Sequence, residues 1–221
     1  MILKQFNKWE RSRILGGYDA LKRWENGEIV ESIFNRARPK YRIVNAKDII
    51  VSAMFSKVEK EAISIWTNDS SAIKKAMWGY AKNSDALKIA NVLNQMFGKY
   101  KQMHAEYLYR GMSVPEDLYF AMGYDSIKVG DSYTPDDKAI TSFSSSKRIA
   151  YEYCISGGDK YKVLLRIKPD KDCCVDISSV STKKEEQEVL LKPNIWYNVE
   201  RIKRVKDERG TIWLLMILKR K

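Results

Sequence analysis

The chain has 221 residues, 44% hydrophobic and 31% charged, a balance that fits a globular protein with a substantial core and excludes a disordered or fibrous one. Its longest apolar run, Ile212 to Leu218, is strand-sized rather than membrane-spanning, and the opening Met1-Ile2-Leu3-Lys4-Gln5 lacks the features of a secretory leader, which predicts a cytoplasmic site of action. The formal net charge of +12 sits at the two ends: residues 1–50 carry 11 Lys and Arg against 6 Asp and Glu, residues 189–221 carry 9 against 3, and the middle is nearly balanced. Basic ends suit contact with an acidic protein or nucleic acid, and equally a scattered, solubilising surface.

Residues 1–50 read as a separate helical extension. Tyr18, Leu21 and Trp24 recur at three-residue steps, and Ile29, Val30, Ile33 and Phe34 follow the three-and-four spacing of an amphipathic helix. Residues 51–221 read as the main domain. Ser56-Lys57-Val58-Glu59 has the form of a capping box, and Val58, Ala62, Ile63 and Trp66 then fall on one helical face. A second helix is expected after Asp69-Ser70-Ser71, with Ile73, Met77 and Tyr80 inward. A third follows Ser84-Asp85, with Leu87, Ala90, Val92, Leu93, Met96, Phe97 and Tyr100 inward. Helices grouped ahead of strands indicate an α+β layout.

From residue 105 the texture changes. Glu106-Tyr107-Leu108-Tyr109 alternates like a strand and delivers Arg110-Gly111 at its end. A loop containing Pro115, Gly123 and Gly130 leads to a strand over residues 139–144 and a short helix from Ser146 to Tyr153. Strands follow at Tyr161–Ile167, Cys173–Ile177 and Glu186–Leu191. Residues 195–205 and 211–218 form a closing hairpin around Asp207-Glu208-Arg209-Gly210.

Cys154, Cys173 and Cys174 lack metal-ligand spacing, and the single histidine, His104, gives no support for a histidine-centred triad. Carboxylates and arginine are the better candidates for chemistry. In Glu186-Gln187-Glu188, strand alternation aims both glutamates at one side, where one could stabilise a developing cation and the other take a proton from a nucleophile. The adjoining Lys183-Lys184-Glu185 also reads as a solvated charge run.

Three separated features stand in order: Tyr109-Arg110-Gly111 at a strand, Ser142-Phe143-Ser144 on a second strand before a short helix, and Glu186-Gln187-Glu188. This order resembles the Arg-Ser-Glu class of mono-ADP-ribosyltransferases, which includes the enzymatic components of clostridial binary toxins and the Alt and Mod enzymes of tailed bacteriophages. The resemblance spans roughly residues 55–218. It implies an ADP-ribosyltransferase fold, two packed and mainly antiparallel sheets with N-terminal helices, and NAD as substrate without a metal. It further implies that Arg110 binds the pyrophosphate, the main chain of Gly111 holds the nicotinamide amide, and Ser142 orients Glu188. Glu188 then engages the ribose and stabilises the oxocarbenium ion as nicotinamide leaves, and Glu186 orients or deprotonates the acceptor. Tyr153 falls where relatives carry an aromatic near nicotinamide, although core packing on its helix accounts for it as well.

A glutamate at the first position of Glu-x-Glu implies an arginine acceptor on a target protein, with no membrane partner. The target is a host protein, reached in the host cytoplasm, if the chain is a phage or toxin effector, and the basic ends suit an RNA-associated one. The loop 178–185 lacks the aromatic that several toxin relatives use to recruit their target, and Lys183 and Lys184 are its candidate contacts. The alternatives are an NAD glycohydrolase or RNA-linked transferase of the same fold, and a non-catalytic basic module that binds nucleic acid.

Overall fold

A computed structural model describes residues 54–100 and 105–221; the helical extension expected over 1–50, and His104, lie outside the described residues. Among the described residues three helices come first: α1 (Lys57–Asn68), α2 (Ser71–Met77) and α3 (Ser84–Met96). The capping box at α1 is formed, with Ser56 Oγ accepting from the Glu59 amide at 3.3 Å and Glu59 Oε2 accepting from the Ser56 amide at 2.8 Å. At α3 the cap is Asn83, one residue earlier than expected, whose Oδ1 accepts from the Ala86 amide at 3.0 Å.

Ala62, Ile63, Trp66, Ile73, Ala90, Leu93 and Met96 are buried, as the helical spacing predicts. Val58, Leu87 and Tyr80 are not: they are 60%, 41% and 80% exposed. Beside Val58, the inward place in the first turn of α1 goes to Glu59. Tyr80 lies past the end of α2, beyond a left-handed Gly79 that turns the chain away.

Eight strands follow, β1 (Leu108–Val114), β2 (Ser132–Tyr133), β3 (Thr141–Ser144), β4 (Tyr161–Ile167), β5 (Cys174–Asp176), β6 (Glu188–Leu191), β7 (Tyr197–Lys206) and β8 (Ile212–Arg220). Helix α4 (Glu116–Ala121) comes after β1 and α5 (Lys147–Ser156) after β3. The segment expected as a plain loop thus contains α4, whose Tyr119 stacks on Tyr161 at 4.3 Å between ring centres. Six residues are too few for helical periodicity to show in the sequence.

Hydrogen bonds link all strands in the order β2-β7-β8-β4-β1-β3-β6-β5, with only β4 and β8 parallel. The two expected sheets are the two halves of this ladder. They join at a single register pair, Tyr109 with Ser144, between β1 and β3. Inward side chains of both halves share one core: Val163, Leu165, Leu214 and Met216 on one side, Phe143, Val189 and Leu191 on the other. The outer face of β3-β6-β5 packs through Val175 and Leu190 against Ile63, Trp66 and Leu93 of the helices. The outer face of the five-stranded half packs through Leu164, Leu215 and Ile217 against α5. At roughly 1.5–3 kcal/mol for each large apolar side chain buried, these layers supply the main drive to fold. Among the described residues no helix is long and apolar enough to cross a membrane.

Burial would raise the Glu59 carboxyl, but the Lys99 ammonium at 2.7 Å, the Tyr100 hydroxyl at 2.6 Å and Ser56 together hold it down to about 2. A depressed carboxyl stabilises the fold above its ordinary pKa and stops doing so as pH falls through the folded value. Glu59→Gln is therefore expected to lower stability at pH 7 by on the order of 1–2 kcal/mol. Thermal unfolding of both proteins at stepped pH should show the gap closing between about 4.5 and 2.

Candidate active site

Next to their one shared pair, β1 and β3 part, and a cavity of about 370 Å³ opens there. It is lined by all six residues that sequence singled out: Arg110, Gly111, Ser142, Tyr153, Glu186 and Glu188. Arg110 stands within β1 rather than at its end. Its Nη1 donates to the Ser142 carbonyl at 2.7 Å and its Nε to the Met112 sulfur at 3.3 Å. A side-chain donor thus crosses the gap where the ladder stops, and the remaining guanidinium N–H groups make no hydrogen bond to a described residue. Burial pulls the Arg110 pKa below its ordinary value, opposed by Tyr133, Tyr124, Asp136 and Glu188. A guanidinium stays protonated through such a shift.

Gly111 has a packing reason of its own. A Cβ there would stand 1.6 Å from the Ala150 carbonyl oxygen and 2.9 Å from the Cys154 sulfur, so only glycine lets α5 lie this close to β1. That contact puts Tyr153 of α5 on the cavity wall, 43% exposed, instead of in the core. Burial, then the neighbouring Glu186, push the Tyr153 phenol well above its ordinary range.

The serine-rich stretch divides its work. Ser142 Oγ donates to Glu188 Oε1 at 2.5 Å, Ser144 Oγ to the Glu186 carbonyl at 2.6 Å, and Ser145 N to the Gln187 carbonyl at 3.0 Å. Ser146 caps α5 through the Ile149 amide at 3.4 Å.

The two glutamates reach the cavity by a different route from simple alternation. Glu188 opens β6, whereas Glu186 ends a 3-10 turn, Lys184–Glu186, and Gln187 between them is left-handed with φ 49°. Glu188 is only 6% exposed. Glu186 is partly open, with Lys183 Nζ 3.9 Å from its Oε1. Lys183 lines the cavity as well, while Lys184 does not.

Sequence reasoning missed the helical contribution. Trp66 Nε1 donates to Glu188 Oε1 at 3.0 Å and approaches Ser142 Oγ at 3.2 Å, and Thr67 Oγ1 lies 3.4 Å from Glu188 Oε2. Lys74 of α2 places its ammonium 5.3 Å from the centre of the Trp66 ring. The periodicity that marks Trp66 as a core residue is correct and carries no sign of its polar role. Among the described residues no group of three or more His, Cys, Asp or Glu is arranged to hold a metal ion.

Comparison with solved structures places this architecture. Plx2a, an ADP-ribosyltransferase toxin of Paenibacillus larvae, matches 77% of this chain over 89% of its own at 17% identity and a TM-score of 0.59. The Vis ADP-ribosyltransferase of Vibrio splendidus, solved with agmatine, matches 82% of this chain over 88% of its own at 16% identity and a TM-score of 0.58. C3stau2 of S. aureus, solved with NAD, matches 84% of this chain over all of its own at 16% identity and a TM-score of 0.55. No family model and no curated relative matches the sequence. The chain therefore has the fold of the toxin-like mono-ADP-ribosyltransferases. Its cavity brings together Arg110, Ser142 and the buried Glu188 from three separate strands.

Burial, then the charge of Arg110, bring the Lys74 amine down to about 8, against the opposing pull of Asp136 and Glu188. Between that value and the ordinary 10.5 the unfolded chain binds the extra proton, so stability rises with pH across this window. Lys74→Met is expected to raise the melting temperature at pH 7, with the gain shrinking as pH climbs from about 8 to 10.5. Calorimetry at stepped pH checks it, and a gain that is constant with pH would contradict the assignment.

Proposed function

We propose that residues 51–221 form the catalytic domain of an NAD-dependent mono-ADP-ribosyltransferase that modifies arginine on a target protein and releases nicotinamide. The observation that carries this reading is the joint placement of Arg110, the Ser142-held Glu188 and the more open Glu186 around one cavity. In this reading the Arg110 N–H groups that bond no described residue meet the pyrophosphate, for which a planar fork of donors is suited. The Gly111 main chain, which carries no side chain of its own, takes the nicotinamide amide. Tyr153 offers its ring beside it.

The buried carboxylate of Glu188 accepts a ribose hydroxyl and stabilises the positive charge that grows on the sugar as the bond to nicotinamide breaks. Glu186, two residues away on the turn, receives the acceptor. Glu186 is a carboxylate on the cavity lining, which suits a cationic acceptor, and Lys183, 3.9 Å away, gives way to it. The agmatine complex of the Vis enzyme, a small guanidine bound by a protein of the same fold, lends further support to arginine.

Incubation with labelled NAD, using agmatine and then cell extract as acceptors, followed by mass spectrometry of labelled products, tests the proposal. Glu188→Ala is expected to cut nicotinamide release by roughly 100- to 1,000-fold. Glu186→Gln should suppress transfer to the guanidine while sparing NAD hydrolysis. Unchanged turnover in both Glu188→Ala and Arg110→Ala would overturn the site assignment, and salt-sensitive nucleic-acid binding without NAD turnover would favour the binding module instead.

A further inference from the structure

We propose that the Trp66 indole is a positioning residue that, together with Ser142, holds Oε1 of Glu188 and thereby leaves Oε2 as the oxygen presented to the sugar. This rests on the transferase reading above. The two carboxylate oxygens have unequal surroundings. Oε1 takes the Ser142 hydroxyl at 2.5 Å and the indole N–H at 3.0 Å, and the same N–H leans on Ser142 Oγ at 3.2 Å, closing a triangle. An indole nitrogen can only donate, so the direction of its bond is settled by chemistry.

Among the described residues Oε2 has one polar neighbour, the Thr67 hydroxyl at 3.4 Å. That hydroxyl has a single hydrogen, and the Ile63 carbonyl one turn back accepts it at 2.9 Å. Thr67 in turn stands 3.4 Å from the Ser181 hydroxyl, which can donate to it. Oε2 is therefore left without a committed donor, and Thr67 and Glu188 both line the cavity. A ribose hydroxyl supplies the missing bond.

The clamp is rigid because its donor is. Trp66 is 2% exposed, sits in the α1–α3 core with Ile63 and Leu93, and has the Lys74 ammonium against its ring. Ser142 alone would let the carboxylate swing about one hydrogen bond. The second donor, from a separate element, fixes its plane, as an effective charge-stabilising group requires.

Trp66→Phe keeps an aromatic ring, smaller than the indole, and removes the N–H. With one charge-assisted hydrogen bond lost, kcat for nicotinamide release is expected to fall about 10- to 100-fold, while the Kd for NAD, held by other residues, changes no more than about two-fold. The clamp has a readout independent of turnover, the assigned indole N–H resonance of Trp66 in a 1H–15N spectrum without NAD. It should shift in Glu188→Gln and in Ser142→Ala, with the other tryptophan indoles unmoved. A Trp66→Phe protein with wild-type kcat, or an indole resonance indifferent to Glu188→Gln, overturns the proposal. If Trp66→Phe does not fold, the resonance in the other two variants still decides. Absence of NAD turnover in the wild type would sink the transferase reading, and with it the role of Oε2, while the indole shift would separately establish or refute the clamp.

Discussion

A carboxylate 6% exposed to solvent is the constraint on which this molecule turns. Removing a charge from water is costly unless hydrogen bonds and opposite charges replace the lost hydration. At Glu188 they come from four elements: Ser142 from β3, Trp66 from α1, and the cations Arg110 and Lys74 from β1 and α2. None of these is adjacent to Glu188 in sequence. The helical layer ahead of the strands is therefore part of the site, because without α1 the acid would lose its indole donor and much of its cover.

The sheet makes room for this arrangement by being incomplete at its middle. One register pair ties β1 to β3, and past it the strands separate. A continuous ladder there would fill the cavity with backbone. On the far side of β1, the contact between α5 and Gly111 holds the opposite wall in place, so a bare stretch of main chain and the Tyr153 ring face the opening together.

Much of this was legible in the residues. The capping box at Ser56, the strand Tyr161–Ile167, the closing hairpin, and the order arginine, serine, glutamate all rest on local chemistry or fixed spacing, and the structure keeps them. What escaped was non-local or too short. Period-two reasoning put Glu186 and Glu188 on one strand face, because nothing in Gln187 announces a left-handed backbone. The bond from Trp66 to Glu188 joins residues 122 positions apart, and hydrophobic periodicity treats a tryptophan as bulk without regard to its N–H. Val58 and Tyr80 were misplaced because a face defined by spacing weakens at helix ends, where a capping acid or a turning glycine sets direction.

The left-handed Gln187 also bears on how such a protein could diversify. Glu188 is locked into a sheet ladder opposite Ser144, whereas Glu186 hangs on a tight turn held mainly by serine hydroxyl and amide contacts at its base. The kink uncouples the two acids mechanically. Loop 178–186 can change length, sequence or tilt while the carboxylate held by β3 and α1 keeps its geometry.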